Sequence, residues 1–97
     1  MENCPNCKKD PREKEFIETL QSRLNRVMGQ LNGISKMIAD NRYCHDILIQ
    51  LAAAEAALKE VGYMILKDHL LTCVTDDIKE GNTKSLIDAL EISKKLN

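Results

Sequence analysis

The chain has 97 residues, the size of one small domain, and its composition excludes several classes of protein. Apolar residues make up 43% and charged residues 30%, which is ordinary for a globular domain and too apolar for a disordered one. With 3% aromatic residues, no Trp and both Pro within the first 11 positions, neither an all-β fold nor an aromatic base-stacking surface is expected. The net charge of −1 is uneven, because residues 1–36 carry 7 Lys or Arg against 5 acids, whereas residues 37–97 carry 7 against 10.

The first nine residues show no helical or strand periodicity, so we expect a flexible tail over 1–9 and one domain over 10–97. The tail holds a C-x-x-C pair, Cys4 and Cys7, whose role the sequence leaves open. Neither a secretory signal nor an apolar run long enough to cross a membrane is present, so a cytoplasmic protein without membrane contact is expected. In that reducing compartment the 4 cysteines favour metal binding or redox sensing over a disulfide framework.

The first predicted helix covers about residues 11–40. Asp10 is a suitable cap, Pro11 suits the first helical position, and Glu13 completes a spacing like that of a capping box. The helix is predicted to end near Asp40. Its apolar residues recur in alternating steps of three and four, a heptad pattern, at Ile17, Leu20, Leu24, Val27, Leu31, Ile34 and Ile38.

Two features of this helix indicate a close partner. No acid lies between Glu18 and Asp40, while the same stretch contains the basic residues Arg23, Arg26 and Lys36. A weakly basic stripe on an otherwise acidic chain suggests a polyanion, although a solvated helix face has the same pattern. Gly29 and Gly33 each cost a helix about 1 kcal/mol relative to Ala, so we expect them to permit close approach of another helix or of DNA.

A second helix is predicted to run without interruption to about residue 79, followed by a third over about 83–96. The second has its own heptad pattern at Cys44, Ile47, Leu51, Ala54, Leu58, Val61 and Ile65. Gly81 is the predicted C-cap and Asn82 the cap of the third helix, whose apolar face is Leu86, Ile87, Leu90 and Leu96. A single helical hairpin leaves too much apolar surface exposed, so the fold predicted is all-α, with two chains forming an antiparallel four-helix bundle.

Three residues of the second helix form a candidate soft-metal site. His69 and Cys73 are four residues apart and share a helix face, whereas Cys44 precedes His69 by 25 residues. On a continuous helix this separation is about 37 Å, so Cys44 reaches the other two only from an antiparallel partner chain. Two thiolates and one imidazole suit Cu(I), whereas structural Zn²⁺ prefers a fourth ligand, which the C-x-x-C pair is able to supply. Cysteines are also common as small buried apolar residues, so a purely structural role stays open at this point.

Residues 23–34, RLNRVMGQLNGI, resemble the R-L-x-R-x-x-G-Q-x-x-G-I signature of the copper-sensing operon repressor family, CsoR/RcnR. The resemblance extends over about residues 12–90 and includes Tyr43-Cys44 and His69-x-x-x-Cys73. Met28 and Asn32 depart from residues common among copper sensors, and Asn32 is closer to the persulfide-sensing branch, which lacks the histidine. The presence of His69 places the chain with the copper sensors.

The resemblance implies helical homodimers that pair into tetramers and bind operator double-stranded DNA when free of metal. It also implies Cu(I) binding between subunits by Cys44, His69 and Cys73, with Tyr43 supporting the site, and release of DNA that derepresses copper efflux genes. The residues expected to contact DNA are Arg23, Arg26 and Gln30, assisted by Lys36 and Lys14.

Three other functions are weighed against a Cu(I)-responsive repressor. In a thiol-reactive regulator, Cys44 and the Cys73 of a second chain would form a disulfide or polysulfide link, a mechanism that leaves His69 without a purpose. A copper buffer or chaperone would have no use for the basic face of the first helix. An enzyme is not expected, because the sequence shows neither a nucleophile with its base nor a glycine-rich phosphate loop.

Overall fold

The computed structural model describes residues 13–97, and within that range every regular element is helical, as predicted. Four α-helices and one π-helical turn follow each other: α1 (Lys14–Ala39), α2 (Cys44–His69), the π turn (Leu70–Val74), α3 (Thr75–Lys79) and α4 (Lys84–Lys95). None of the described helices is both long and apolar enough to cross a membrane. The predicted tail and the predicted helix start at Asp10 and Pro11 lie outside the described residues, and Glu13 precedes α1.

The end of α1 is fixed by Asn41, close to the predicted position. Asn41 adopts a left-handed backbone conformation with a φ of 56°. Its N–H donates to the Ile38 carbonyl at 3.0 Å, and the Arg42 N–H donates to the Met37 carbonyl at 2.9 Å. These two bonds are those of a Schellman motif, which satisfies carbonyls that the last helical turn would otherwise leave unpaired.

The second predicted helix remains helical to Lys79, but the prediction of an uninterrupted α-helix is wrong. After His69 the backbone widens into the π turn, and α-helical bonding resumes at Thr75. The Thr75 side-chain hydroxyl donates to the Leu70 carbonyl at 2.7 Å, which satisfies an acceptor within the widened turn. A π turn requires no Pro or Gly, and short π turns are common at functional sites.

The predicted boundary at Gly81 and Asn82 is confirmed. Gly81 has a φ of 84°, and the Asn82 N–H donates to the Asp77 carbonyl at 2.8 Å. The N-cap residue of α4 is Thr83, one position later than predicted, but the Asn82 Oδ1 accepts a bond from the Lys84 N–H at 3.0 Å and so satisfies the first N–H of α4. Glycine is favoured at the first position because a Cβ strains a left-handed backbone.

Residues Lys14–Val61 form one compact unit, in which only half of each heptad pattern is buried. Val27 and Ile34 are the buried residues of α1, and Ala54 and Val61 those of α2, each pair spaced seven apart. The alternate apolar positions remain exposed: Ile17, Leu24, Leu31, Ile38, Leu51 and Leu58. Each helix of this unit therefore carries a second apolar stripe that the described part of the chain leaves exposed.

Residues Gly62–Asn97 belong to a second compact unit, whose core surrounds the π turn. Cys73 and Val74 are its most buried residues, and both α3 and α4 pack against the π turn. At Gly62 an added Cβ would lie 2.9 Å from Leu96 Cδ2, so the missing side chain permits this close approach. Next to it, the Tyr63 hydroxyl donates to Asn97 Oδ1.

Candidate metal centre and nucleic-acid interface

Cys44 is the first residue of α2 and is presented to solvent. Its thiol is free and its side chain is exposed. The preceding carbonyl, that of Tyr43, accepts the first backbone bonds of the helix from Asp46 at 3.0 Å and Ile47 at 3.2 Å. The thiol is therefore held at a helix start whose backbone is ordered, where a soft metal or a thiol reagent has access to it.

His69 and Cys73 stand at the other end of α2 and in the π turn. His69 is the last residue of α2 and is half-buried, whereas Cys73 is 1% exposed. Cys73 is disulfide-bonded. Cu(I) binds the thiolate, so a copper site containing Cys73 requires the reduced protein.

The donor atoms of Cys44, His69 and Cys73 fit Cu(I), but one chain does not bring all three close together. Two cysteine sulfurs and one imidazole nitrogen are soft ligands of the number that trigonal Cu(I) accepts. Cys44 and His69 are the first and last residues of one 26-residue helix, so the helical rise separates them by about 37 Å. Among residues 13–97, no group of three or more His, Cys, Asp or Glu side chains is close enough together to hold a metal ion.

Sequence reasoning missed Thr72, whose hydroxyl approaches both backbone and sulfur in the π turn. The Thr72 Oγ1 lies 2.8 Å from the Asp68 carbonyl oxygen and 3.6 Å from Cys73 Sγ. No pattern in the sequence predicts this contact, because adjacent side chains of an α-helix do not face each other. The contact appears only once the π turn is known.

Tyr43, predicted to support the metal site, is exposed beside Cys44. Its ring contacts the ring of His45, with 6.0 Å between ring centroids and an interplanar angle of 47°. Its side chain is 71% exposed, so nothing else in the described chain covers it. The structure therefore places Tyr43 next to Cys44, the first predicted ligand in sequence, with His45 as its ring partner.

The residues predicted to contact DNA all lie on α1, in two groups. At about 100° per residue, Arg23, Arg26 and Gln30 fall within an arc of about 60° on one face, hereafter the arginine face. Lys14 is exposed and lies about 120° or more from all three, on the other side of the helix, whereas the exposed Lys36 lies about 80° from Arg26, beyond the edge of this face. The arginine face is thus formed by the first three residues alone.

Within the arginine face, the two arginines are exposed and Gln30 is half-buried. Neither arginine forms an ion pair within residues 13–97, although both line a shallow open groove with Glu15 and Glu18. The Oε1 atom of Gln30 is buried and has no hydrogen-bond partner. Two unpaired guanidinium groups are able to bind phosphates, whereas Gln30 has only part of its amide available.

Gly29 and Gly33 were expected to permit close approach of a helix or of DNA, and the structure removes one part of that expectation. A Cβ built at either position meets no atom of the described chain within 4 Å. Close packing of another helix of the same chain is therefore not the reason for these glycines. Gly33 lies about 20° from Arg26 around α1 and Gly29 about 60°, so both border the arginine face.

An all-helical chain with thiol and imidazole donors and a face of unpaired arginines has the parts of a metal-responsive DNA-binding protein. The model of the family described as metal-sensitive transcriptional repressor matches residues 17–95. The chain therefore belongs to this family of repressors, which is not a class of enzymes.

Known members and solved structures refine the comparison. The copper-sensing transcriptional repressor CsoR of Bacillus subtilis (strain 168) is 42% identical over 88 residues, which cover 90% of this chain and 84% of that protein. The crystal structure of the copper-sensing repressor CsoR with Cu(I) from Geobacillus thermodenitrificans NG80-2 is also 42% identical, with a TM-score of 0.83 over 94% of this chain and 96% of that one. The nickel-responsive transcriptional regulator InrS is 33% identical, with a TM-score of 0.71 over 93% and 100%.

Proposed function

We propose that this protein is a Cu(I)-responsive transcriptional repressor, which binds operator DNA in the cytoplasm when metal-free and releases it on binding Cu(I). The observation that carries this proposal is the donor set of Cys44, His69 and Cys73, two sulfurs and one imidazole. The relatives named as copper sensors support it, and a fold shared with a nickel-responsive regulator makes the ligand set the deciding feature. Copper efflux genes are the proposed targets.

The metal site is proposed to form between two chains. The length of α2 keeps Cys44 from the His69 of its own chain, so a second, antiparallel chain has to supply one side of the site. The exposed heptad positions Leu24, Leu31, Leu51 and Leu58 provide an apolar surface for that association. Two-fold symmetry then gives two equal sites per dimer, and pairing of dimers into a tetramer would multiply the arginine faces available to one DNA duplex.

The residues have separate roles in this mechanism. Arg23 and Arg26 bind DNA phosphates, which makes affinity depend on salt, and Gln30 contributes the part of its amide that remains accessible. Bound Cu(I) supplies a positive charge and a preference for trigonal soft ligands. His69 and Cys73 of one chain and Cys44 of the other would hold the ion. The movement of the two chains that brings these three residues together is proposed to misalign the arginine faces. Linkage requires copper and DNA to weaken each other's binding by the same factor.

The shared site is tested by complementation between two inactive variants. Cys44→Ala and Cys73→Ala chains are prepared separately, and each is expected to lose tight Cu(I) binding in a competition with a chromophoric Cu(I) chelator under reducing conditions. Differently tagged chains are then co-expressed. A mixed dimer keeps one complete site, from the Cys44 of one chain and the His69 and Cys73 of the other.

With random pairing, half of the dimers are mixed and each has one of two sites intact, so about a quarter of the chains should regain tight Cu(I) binding. A double Cys44→Ala, Cys73→Ala chain co-expressed with the Cys73→Ala chain is the matched control and should regain none. Tight binding by either single variant alone would refute the ligand set. Absence of complementation, with both single variants inactive, would refute the site between chains.

The repressor function itself is tested by titrating a DNA duplex with the protein. Metal-free protein first selects an operator duplex from a random-sequence pool, and the selected duplex is titrated with and without one Cu(I) per chain. We expect copper to weaken DNA binding by at least tenfold, a coupling of about 1.4 kcal/mol. Equal affinity in both titrations would end the sensor interpretation and leave a copper buffer.

A further inference from the structure

The Thr72 hydroxyl is a side-chain donor that approaches the sulfur of Cys73. Its Oγ1 is 2.8 Å from the Asp68 carbonyl oxygen and 3.6 Å from Cys73 Sγ. A hydroxyl has a single proton, so the two acceptors compete for it. The backbone oxygen is the closer of the two in this structure, where Cys73 is disulfide-bonded.

The acceptor strength of Cys73 changes with its chemical state. A disulfide sulfur carries no charge and accepts hydrogen bonds weakly, whereas a thiolate is an anion. Hydrogen bonds to charged groups are roughly twice as strong as those between neutral groups. A thiolate at Cys73 would therefore draw the Thr72 proton away from the Asp68 carbonyl and toward its sulfur.

Burial increases the value of this hydrogen bond. Cys73 is 1% exposed, so water solvates its sulfur little. The Thr72 hydroxyl, 3.6 Å from the sulfur, is placed to supply the hydrogen bond that water does not. Thr72 and Cys73 are adjacent residues within the π turn. Groups that hydrogen-bond a metal ligand orient it and commonly determine metal affinity by a factor of about 10–100.

We propose that Thr72 is a positioning residue for the metal site: its hydroxyl donates to the Cys73 thiolate and holds that sulfur in the orientation required to bind Cu(I). This inference rests on the proposed function, because it takes Cys73 as a copper ligand. Thr72 itself does not touch the metal ion.

The π turn contains a matched control. The Thr75 hydroxyl donates to the Leu70 carbonyl at 2.7 Å, which is the same kind of bond that Thr72 makes to Asp68. The acceptor of the Thr75 hydroxyl is this backbone oxygen rather than the sulfur. Thr72→Val and Thr75→Val therefore each remove one hydroxyl-to-carbonyl bond, but only the first removes the contact with Cys73. Thr19→Val on α1 removes a third such bond, at 2.9 Å to the Glu15 carbonyl, outside the π turn.

The test measures Cu(I) affinity of the reduced full-length chain by competition with a chromophoric chelator. Urea unfolding of each metal-free variant and X-ray absorption of each copper-loaded variant accompany it. We expect Thr72→Val to bind Cu(I) about tenfold more weakly, and Thr72→Ser, which keeps the hydroxyl, to remain within about threefold of the original chain. Thr75→Val and Thr19→Val should retain the original affinity. The spread of Cu–S distances obtained from X-ray absorption should increase in Thr72→Val alone.

Equal losses of affinity in Thr72→Val and Thr75→Val would refute the inference, because the effect would then arise from the π turn as a whole. An equal loss in Thr72→Ser would refute it too, since the hydroxyl would not be responsible. A Cys73→Ala chain separates this failure from that of the proposed function. If Cys73→Ala binds Cu(I) as tightly as the original chain, the proposed ligand set is wrong. If Cys73→Ala loses tight binding, the ligand set stands, and the Thr72 variants decide whether Thr72 positions the Cys73 sulfur.

Discussion

Replacing Gly29 and Gly33 by alanine is expected to make the metal-free protein more stable and a weaker binder of DNA. Both glycines lie inside α1, where glycine is unfavourable because it loses more backbone freedom on folding than alanine does. A Cβ at either position meets nothing within 4 Å among residues 13–97, so no steric cost from that part of the chain opposes the gain. Each substitution should raise the free energy of unfolding by about 0.5–1 kcal/mol, and the double variant by about 1–2 kcal/mol.

The loss of DNA affinity follows from where the two methyl groups would stand. Around α1, Gly33 is about 20° and Gly29 about 60° from Arg26, so the added atoms would lie beside a guanidinium group proposed to bind phosphate. Lifting the helix from the duplex lengthens every phosphate contact on that face. The double variant should lose at least tenfold in affinity for the selected operator duplex, about 1.4 kcal/mol.

Urea unfolding at one fixed protein concentration and an operator titration at one fixed salt concentration measure the two effects. Ser35→Ala provides the control, because this exposed residue also lies on α1 and gains helix propensity, but it faces about 180° away from Arg26. It should stabilise the protein without changing DNA affinity. A double glycine variant that is less stable would show that another chain covers this face, and unchanged DNA affinity would show that the duplex does not approach it; either result refutes the reasoning.

Three further predictions concern single residues. Arg26→Ala should weaken operator binding and reduce the slope of log affinity against log salt by about 1, whereas Lys14→Ala, on the other side of α1, should change neither by as much in the same filter-binding titrations. His69→Ala should retain Cu(I) through two sulfurs but lose the effect of copper on DNA affinity; a copper-dependent decrease of the original size in that variant would exclude His69 from the switch. Gly81→Ala should lower the free energy of unfolding by about 1 kcal/mol, measured in urea, because its φ of 84° strains any residue with a Cβ; an unchanged value would mean that the turn readjusts.

Local chemistry was sufficient to predict most helix boundaries. Asn41 and Gly81 both take the left-handed conformation that ends a helix, and Asn82 caps the next one. These signals depend on one residue and its immediate neighbours, so they can be recognised in the sequence without knowing how the helices pack. The π turn is different, because Leu70–Val74 contains neither Pro nor Gly, and the weaker helix formers within it, such as Thr72 and Val74, also occur in ordinary α-helices. The contact of Thr72 with Cys73 was unpredictable for the same reason.

The heptad patterns predicted which residues are apolar but not which ones the chain buries. Val27 and Ile34 are buried while Leu24 and Leu31, in the same pattern, are exposed. A repeat of seven residues identifies an apolar stripe wide enough to pack against two neighbouring helices. Within one chain, only one of the two rows of apolar positions in that stripe contains buried residues. The ligand types were predictable from residue chemistry, whereas the sharing of a site between chains depends on the length of α2 and remains a prediction.

The length of α2 connects the three parts of the proposed function. Because Cys44 and His69 begin and end the same helix, one chain does not bring the proposed ligands together, and the proposed metal sensing would require association. The proposed operator binding would require association as well, because two exposed arginines per chain make few phosphate contacts and a chain of net charge −1 gains affinity mainly by presenting several such faces together. In this proposal, the binding of metal and the binding of DNA both depend on how the chains are assembled. If binding of Cu(I) changes that assembly, it also changes the affinity for DNA, and binding of DNA changes the affinity for Cu(I). The exposed apolar stripes of α1 and α2 are the surfaces whose packing between chains would couple the two.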